Sequence, residues 1–256
     1  MGVPEATYDG YGAAELRDLL GVPRVALYDE VGSTLDVAHE LAAGGAEAGT
    51  LVLADRQTAG RGRGGKSWSS PSGAGVWMTL LERPSDPRVL DVLSLRVGMR
   101  AAEALDPFSD EWLGVKWPND LYIGQRRKLG GILIEARWHG DRPAWVAVGI
   151  GVNVVPPAGV EHAAGLRAGT ARVEVLAALV PAVRRAAAMR GHLDKFEVWE
   201  FGNWDVASGE RCISPARGVA RGVNRAGELQ VWTDDGCVTS HRHGSLILDE
   251  WTEGGA

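Results

Sequence analysis

The chain has 256 residues, 45% hydrophobic and 23% charged, the proportions of a soluble globular protein with room for one large domain or a large one plus a small one. Its net charge of −6 argues against a nucleic-acid binder that works by bulk electrostatics. Two cysteines, Cys212 and Cys237, make neither a disulfide framework nor a metal cluster, and neither a signal peptide nor a membrane-length apolar run is visible, so a reduced, cytoplasmic protein without membrane contact is expected.

In chain order, Ala13–Leu20 reads as a short helix and Arg24–Tyr28 as a strand. Val31-Gly32-Ser33-Thr34 is a turn, and Ser33 or Thr34 can cap a helix over Leu35–Ala43. Thr50–Ala54 is a short apolar strand, Gly75–Leu81 another, and Val89–Leu105 a long helix. Proline interrupts the pattern at Lys116-Trp117-Pro118-Asn119-Asp120 before Leu121–Ile123 resumes it. Arg126-Arg127-Lys128 reads as a basic turn ahead of Leu129–Trp138, and Trp145–Asn153 as a further apolar strand. Helices follow at Val173–Met189 and Phe196–Trp204. The pattern predicts an α+β fold, a mixed sheet flanked by helices. From Ser208 short apolar segments alternate with turn signals such as Asp234-Asp235-Gly236, which reads as a small β-barrel of about fifty residues. The expected domains are residues 1–207 and 208–256.

Between the strands, Gly60-Arg61-Gly62-Arg63-Gly64-Gly65-Lys66-Ser67-Trp68 packs four glycines and three cations into nine residues. It contains the nucleotide-hydrolase pattern G-x-x-x-x-G-K-S, which needs a strand running straight into the loop and a helix starting at Lys-Ser. Neither is present: the polar stretch Asp55-Arg56-Gln57-Thr58-Ala59 precedes the loop, and the turn-rich Trp68-Ser69-Ser70-Pro71-Ser72-Gly73 follows it. Two arginines set between glycines nevertheless suit an anion that orders the loop.

Other loops carry chemistry-bearing residues: Ser33-Thr34, Lys116 to Asp120, Lys128-Leu129-Gly130-Gly131 and Gly149-Ile150-Gly151-Val152-Asn153. Each alone reads as a cap, a proline turn or a strand end. Taken together and in this order, the chain closely resembles the biotin protein ligases (biotin–[acetyl-CoA-carboxylase] ligases). The likeness rests on Gln57-Thr58-Ala59-Gly60-Arg61-Gly62-Arg63, Lys116-Trp117-Pro118-Asn119-Asp120-Leu121, Lys128 to Glu135 and Gly149 to Asn153, and it runs from about Tyr28 to Leu248.

The resemblance implies a class II synthetase-like catalytic domain with a C-terminal SH3-like β-barrel. It implies a two-step reaction: biotin and ATP, with Mg2+, give biotinyl-5′-AMP, and the biotinyl group passes to a lysine of a biotin carboxyl carrier domain. Attack of a carboxylate on an α-phosphate brings two anions together, which cations and aligned amides must offset. The resemblance therefore assigns catalysis to Lys128, Arg61 and Arg63. Biotin falls to Ser33, Thr34, Leu35, Gln57, Gly60, Arg61, Gly62, Arg63, Lys128 and Gly131. ATP falls to Arg61, Arg63, Lys66, Trp68 as adenine platform, Asn119, Asp120, Lys128 and Asn153. Asp120 serves a metal, a phosphate or the acceptor lysine, and these roles stay open. Two departures stand out: Leu35 occupies a position that is often asparagine, and Lys66 one that is commonly arginine, which keeps the charge but not the bidentate fork. About 25 residues precede the catalytic region, too few for the winged helix-turn-helix that some relatives carry, so a monofunctional ligase is expected. A homodimer through a sheet edge stays open. The competing readings are a lipoate–protein ligase and a catalytically silent biotin-binding module.

Overall fold

The computed structural model describes residues 6–124 and 126–249. The chain enters through α1 (Ala13–Leu20), which buries Leu16 and stops at Gly21, whose φ of 60° places it in the left-handed region. Strand β1 (Val25–Val31) and β2 (Leu51–Gln57) are parallel and joined by α2 (Thr34–Ala43), the crossover that parallel strands require. The chain then folds back through antiparallel strands: β3 (Gly75–Glu82), β4 (Leu113–Lys116), β5 (Asp120–Ile123), β6 (Arg127–His139) and β7 (Arg142–Asn153). The resulting seven-stranded mixed sheet has the order β1-β2-β3-β7-β6-β5-β4.

Alternation along the strands gives this sheet two unlike faces. One face sends Leu51, Leu53, Met78, Leu80, Val148 and Ile150 under α3 (Leu93–Leu105) and α4 (Arg172–Ala188), in one large buried cluster. The other face carries a small cluster in which Ala26, Val52 and Ala147 meet Leu35 and Ala38 of α2. Helix α2 packs on β2, β3 and β7. The strip across β6, β5 and β4 is left for polar side chains. Helix α5 (Lys195–Trp204) is fastened to α3 by a buried ion pair, Arg96 Nε donating to Glu197 Oε1 at 2.6 Å, while the remaining Arg96 donors reach the carbonyls of Gly191 and His192. A charge so buried is tolerated because each of its three nitrogens has a partner and Glu197 faces it with both oxygens.

Strands β8 (Arg211–Ser214), β9 (Gly218–Val223), β10 (Leu229–Thr233), β11 (Val238–His241) and β12 (Ile247–Leu248) form a second, antiparallel sheet in the order β11-β10-β9-β8-β12. The strand content suits the expected SH3-like unit, though among the described residues the sheet does not close: β11 and β12 do not pair, β12 being two residues long and bonded only to β8. The second sheet shares the main core through Ala207, Cys212, Ala220, Leu229 and Leu246, and Trp117 Nε1 donates to Gly227 O at 3.0 Å.

Three local expectations change. The helix expected over Val89–Leu105 begins only at Leu93, because Pro87 and the Asp86 cap set up a 3-10 turn through Asp91, and Val92 is non-helical at φ −124°. The basic turn is shorter than expected, since Gly124 takes the left-handed conformation and β6 already starts at Arg127. Strand β1 continues to Val31. No described helix is long and apolar enough to cross a membrane.

Candidate active site

Strands β6 and β7 run in register with Gly131 opposite Gly151 and Leu133 opposite Gly149, so three glycines fall on the face that α2 covers only in part. Each has a steric reason. A Cβ on Gly151 would stand 2.4 Å from Trp68 Nε1, and one on Gly149 would stand 3.1 Å from the Leu35 side chain. A Cβ on Gly131 would meet the Trp68 ring at 3.5 Å. The glycines thus let an indole and a leucine lie directly on the sheet. Around them opens a cleft lined by residues of β2, α2, the glycine-rich loop, β4 to β7 and the Ser245–Leu246 segment just ahead of β12.

Following the strand order, the cleft changes character from one end to the other. At the β1–β2 end the lining groups are neutral except Arg61, whose charge is matched by Asp36 and Glu135. Thr34 N–H and Oγ1–H both donate to Gln57 Oε1, at 2.9 and 3.1 Å, while Gln57 Nε2 donates to Ser70 Oγ at 2.8 Å. Thr79 Oγ1 donates to Thr34 Oγ1 at 2.9 Å from the sheet below. Gln57 therefore caps α2 from across the cleft. Ser33 is the N-cap residue, but its side chain makes no cap bond, and its Oγ is buried without a protein partner. The capping explanation for Ser33 consequently fails for its hydroxyl. Leu35 is buried and forms the apolar floor beside Gly149.

At the β4–β6 end the groups are charged. Lys128 Nζ is 3.0 Å from Asp120 Oδ1 and 5.4 Å from the centre of the Trp68 ring. Lys116, buried on β4, holds its ammonium 5.6 Å from the Tyr122 ring. Arg63 and Lys66 reach the same space from the loop. Burial pulls the Arg63 guanidinium below its ordinary pKa, and the nearby Asp120 carboxylate opposes that shift. Arg63 Nη1 donates to Gly244 O at 2.6 Å, which ties the loop to the second sheet.

The glycine-rich loop closes on itself. Gly62 N–H donates to Lys66 O at 2.7 Å and Trp68 N–H to Gly60 O at 2.8 Å around a 3-10 turn at Arg63–Gly65, with Gly64 and Gly65 at φ 68° and 79°. No helix begins at Lys66, which removes the phosphate-loop reading. Trp68 Nε1 is buried without a protein partner.

Most residues singled out from the sequence line this one cleft: Ser33, Thr34, Leu35, Gln57, Arg61, Gly62, Arg63, Lys66, Trp68, Asn119, Asp120, Lys128 and Gly131. Gly60 lies behind the loop, where a Cβ would strike Trp68 O at 2.4 Å. Asn153 is buried on β7, two residues beyond Gly151, and does not line the cleft. Asn119 donates its side-chain amide to Ile132 O at 2.9 Å and accepts from Ile132 N–H at 2.9 Å, clamping the β4–β5 turn onto β6. Lys116, Tyr122, Met78, Ser245 and Leu246 were not foreseen. Lys116 was legible as the first residue of Lys-Trp-Pro-Asn-Asp, whereas no local signal marks Ser245 and Leu246.

The Biotin/lipoate A/B protein ligase family model matches residues 31–153. The bifunctional ligase/repressor BirA of Bacillus subtilis (strain 168) is 41% identical over 128 residues, 50% of this chain and 39% of that protein. The biotin–[acetyl-CoA-carboxylase] ligase of Mycobacterium tuberculosis (strain ATCC 25618 / H37Rv) is 32% identical over 136 residues, 49% of this chain and 47% of that protein. Each match thus spans less than half of the relative. Among solved structures, the biotin protein ligase from Aquifex aeolicus in complex with biotin and ATP superposes with a TM-score of 0.68 at 25% identity, covering 89% of this chain and 99% of that one. Residues 31–153, which carry the glycine-rich loop and most of the cleft, thus match the biotin/lipoate A/B protein ligase family model, and the chain shares the fold of a biotin protein ligase.

Proposed function

We propose that this protein is an ATP-dependent biotin–protein ligase, joining biotin and ATP into biotinyl-5′-AMP and passing the biotinyl group to a lysine of a biotin carboxyl carrier domain. The observation that carries the reading is the polarity of the cleft. One end offers neutral donors, acceptors and an apolar floor; the other gathers Arg63, Lys66, Lys116 and Lys128 around a single lining carboxylate, Asp120. A ligand with a neutral fused-ring head and a carboxylate tail fits that gradient. The Aquifex aeolicus relative is described with biotin and ATP, which supports the same choice.

In the first step a carboxylate oxygen of biotin attacks the α-phosphorus, a P–O bond to the β-phosphate breaks, and pyrophosphate leaves. Lys128 stands where carboxylate and α-phosphate meet, and its ammonium with Arg63 offsets the gathering negative charge. In the second step the ε-amine of the acceptor lysine attacks the acyl carbon and AMP departs. Ser33 Oγ, Thr34 and Gln57 hold the ureido ring over Leu35, with Gly62 and Gly131 giving room for close approach. Trp68 is the adenine platform, while Asn153, buried at the end of β7 outside the cleft lining, is left without a ligand contact. Gly60 keeps the loop closed behind them. We assign residues 1–207 to catalysis and 208–256 to the second unit.

Magnesium enters as the partner of ATP. No group of three or more His, Cys, Asp or Glu side chains suited to a metal ion occurs among the described residues, and Asp120 already pairs with Lys128. One carboxylate with substrate phosphates is a donor set that Mg2+ accepts. On this reading Asp120 and Asn119 face the phosphates.

The test is incubation with ATP, Mg2+, biotin or lipoate, and a carrier domain. Pyrophosphate release that depends on biotin, with biotin found on the carrier, is the expected result. Transfer of lipoate alone would make it a lipoate–protein ligase, and biotin binding without transfer a silent module; either overturns the proposal.

A further inference from the structure

Arg61 differs from the other loop cations in what it touches. Its Nη1 donates to Asp36 Oδ1 at 2.8 Å, and its Nη2 donates to Glu135 Oε1. Asp36 comes from α2 and Glu135 from β6, so one guanidinium joins three separate pieces of chain. Glu135 lies four residues along β6 from Gly131, on the cleft side of the sheet, just beyond Leu133.

Glu135 is itself held. His39, one turn along α2 from Asp36, approaches Glu135 Oε2 with Nε2 at 2.9 Å. Trp145 Nε1–H donates to His39 Nδ1 at 2.9 Å. An indole N–H can only donate, so Nδ1 is the acceptor and Nε2 carries the proton given to Glu135. The chain Trp145–His39–Glu135–Arg61 therefore has every donor and acceptor matched, and it spans β7, α2, β6 and the loop. Burial acts to raise the Glu135 pKa, but the hydrogen bonds from Arg61 and His39 outweigh it and leave the carboxyl below its ordinary value. By contrast, Arg63 and Lys128 share their space with Asp120 at the charged end of the cleft.

We propose that Glu135, oriented by His39 and Trp145 and seconded by Asp36, is the fixed half of a clasp whose moving half is Arg61, and that this clasp holds the glycine-rich loop over the cleft so that the acyl-adenylate is retained until an acceptor lysine arrives. Glu135, His39 and Asp36 are positioning residues, and Arg61 acts on the ligand chiefly by anchoring its own loop. The retention half rests on the ligase reading above; the clasp itself does not. A mixed anhydride that escapes is lost to hydrolysis, so a loop that is fastened at its hinge and closes on a ligand suits the chemistry.

The experiment uses the full chain and two readouts. Trypsin cuts after Arg63 and Lys66, so the rate of cleavage there in protein without added ligands reports how firmly the loop is held. Glu135→Ala is expected to raise that rate about tenfold, the worth of one charge-assisted hydrogen bond. Arg61→Ala should do the same, the double variant should cut no faster than either single one, and Glu135→Gln, which keeps an acceptor oxygen, should fall between. The second readout is the lifetime of preformed biotinyl-5′-AMP on the protein after a chase, expected to shorten about tenfold in Glu135→Ala and less in His39→Gln, at unchanged melting temperature. Cleavage at the wild-type rate in Glu135→Ala, or single effects that multiply in the double variant, overturns the clasp. Faster cleavage with an unchanged adenylate lifetime overturns its retention role. Faster cleavage in a protein whose wild type forms no adenylate supports the clasp while overturning the ligase reading.

Discussion

The two faces of the seven-stranded sheet are built from the same strands and put to opposite uses. On the face under α3 and α4, Leu51, Leu53, Met78, Leu80 and Val148 are fully buried or nearly so and belong to one large apolar cluster. On the face that α2 covers only in part, the alternate positions read Thr79, Gly149, Gly151, Gly131, Asp120 and Lys116, small or polar residues that fill little space themselves. The strands thus gain their rigidity from one side and offer a bare, hydrogen-bonded floor on the other. A loop, an indole and a group of cations are then laid on that floor. Substitutions should separate accordingly: on the packed face they change stability, on the open face they change turnover.

Lys128→Ala is the largest test. On the ligase reading it removes the cation at the reacting centre, and biotin-dependent pyrophosphate release is expected to fall by about a thousandfold, comparable with losing an oxyanion donor. The melting temperature should hardly move, because the Lys128–Asp120 pair is partly exposed. Near-normal pyrophosphate release would remove Lys128 from the chemistry. The counterpart on the packed face is Leu80→Ala, which leaves a cavity under α4 and should cost about 2–5 kcal/mol in a denaturant titration. The activity per folded molecule should be preserved. A variant that stays stable but loses turnover would erase the distinction between the faces.

Asp205 tests the packed side from another direction, since it is an ionisable group set into it. It pairs by backbone with Val115, its Oδ1 accepts from Ala207 N–H at 2.9 Å, and its Oδ2 is buried without a partner. Burial pushes its pKa up to about 6, against the Ala207 hydrogen bond. A carboxyl whose folded pKa lies above the ordinary 3.8 binds its proton more tightly in the folded state. Its contribution is therefore fully present below pH 3.8 and lost as pH rises through about 6. Asp205→Asn keeps the acceptor for Ala207 and cannot ionise, so at pH 7 it should be more stable than wild type by up to about 3 kcal/mol, with the gap closing toward pH 4. Equal urea midpoints at both pH values would show that Asp205 is solvated.

Gly151→Ala is milder and belongs to the open face. Its Cβ would fall 2.4 Å from Trp68 Nε1, so the indole must lift from the sheet. If Trp68 carries the adenine, KM for ATP should rise about tenfold, within the range of one lost stacking contact, while KM for biotin stays put. A rise in the biotin KM alone would move Trp68 to the other end of the cleft.

What the sequence made legible divides along the same line. The strands of the packed face were read from apolar runs, and the lining of the cleft from motifs whose members lie close in the chain: Gln57 to Arg63, Lys116 to Asp120 and Lys128 to Gly131 all came together. Three kinds of information were hidden. The glycines at 149 and 151 were visible, but their reason, a leucine and an indole resting on them, depends on residues more than eighty positions away. The clasp partners His39 and Glu135 are 96 residues apart, joined only by the register that sets Glu135 opposite Ala147 beneath α2. The second sheet was expected as a small SH3-like unit and is one in strand content, but short alternating strands gave no signal of which edges meet.

The smallest effect is expected at Lys66, and it bears on the one pattern in this chain that points elsewhere. In a phosphate loop the lysine sits at a helix N-terminus and holds the β- and γ-phosphates, so its loss abolishes nucleotide binding. Here Lys66 follows a 3-10 turn in an extended conformation, φ −69° and ψ 148°, and its carbonyl accepts from Gly62 N–H to close the loop. The backbone at this position shapes the loop whatever the side chain is, and the ammonium adds one charge to a group that already contains Arg63, Lys116 and Lys128. Lys66→Ala should therefore raise KM for ATP only about threefold to fivefold, the worth of a partly screened charge, with kcat for adenylate formation little changed. Lys66→Arg, which restores charge and adds a fork, should match or exceed wild type. Complete loss of ATP binding in Lys66→Ala would mean that the anion is gripped at Lys66 and not further along the cleft at Lys128, and the division of labour between loop and sheet would have to be redrawn from that residue outward.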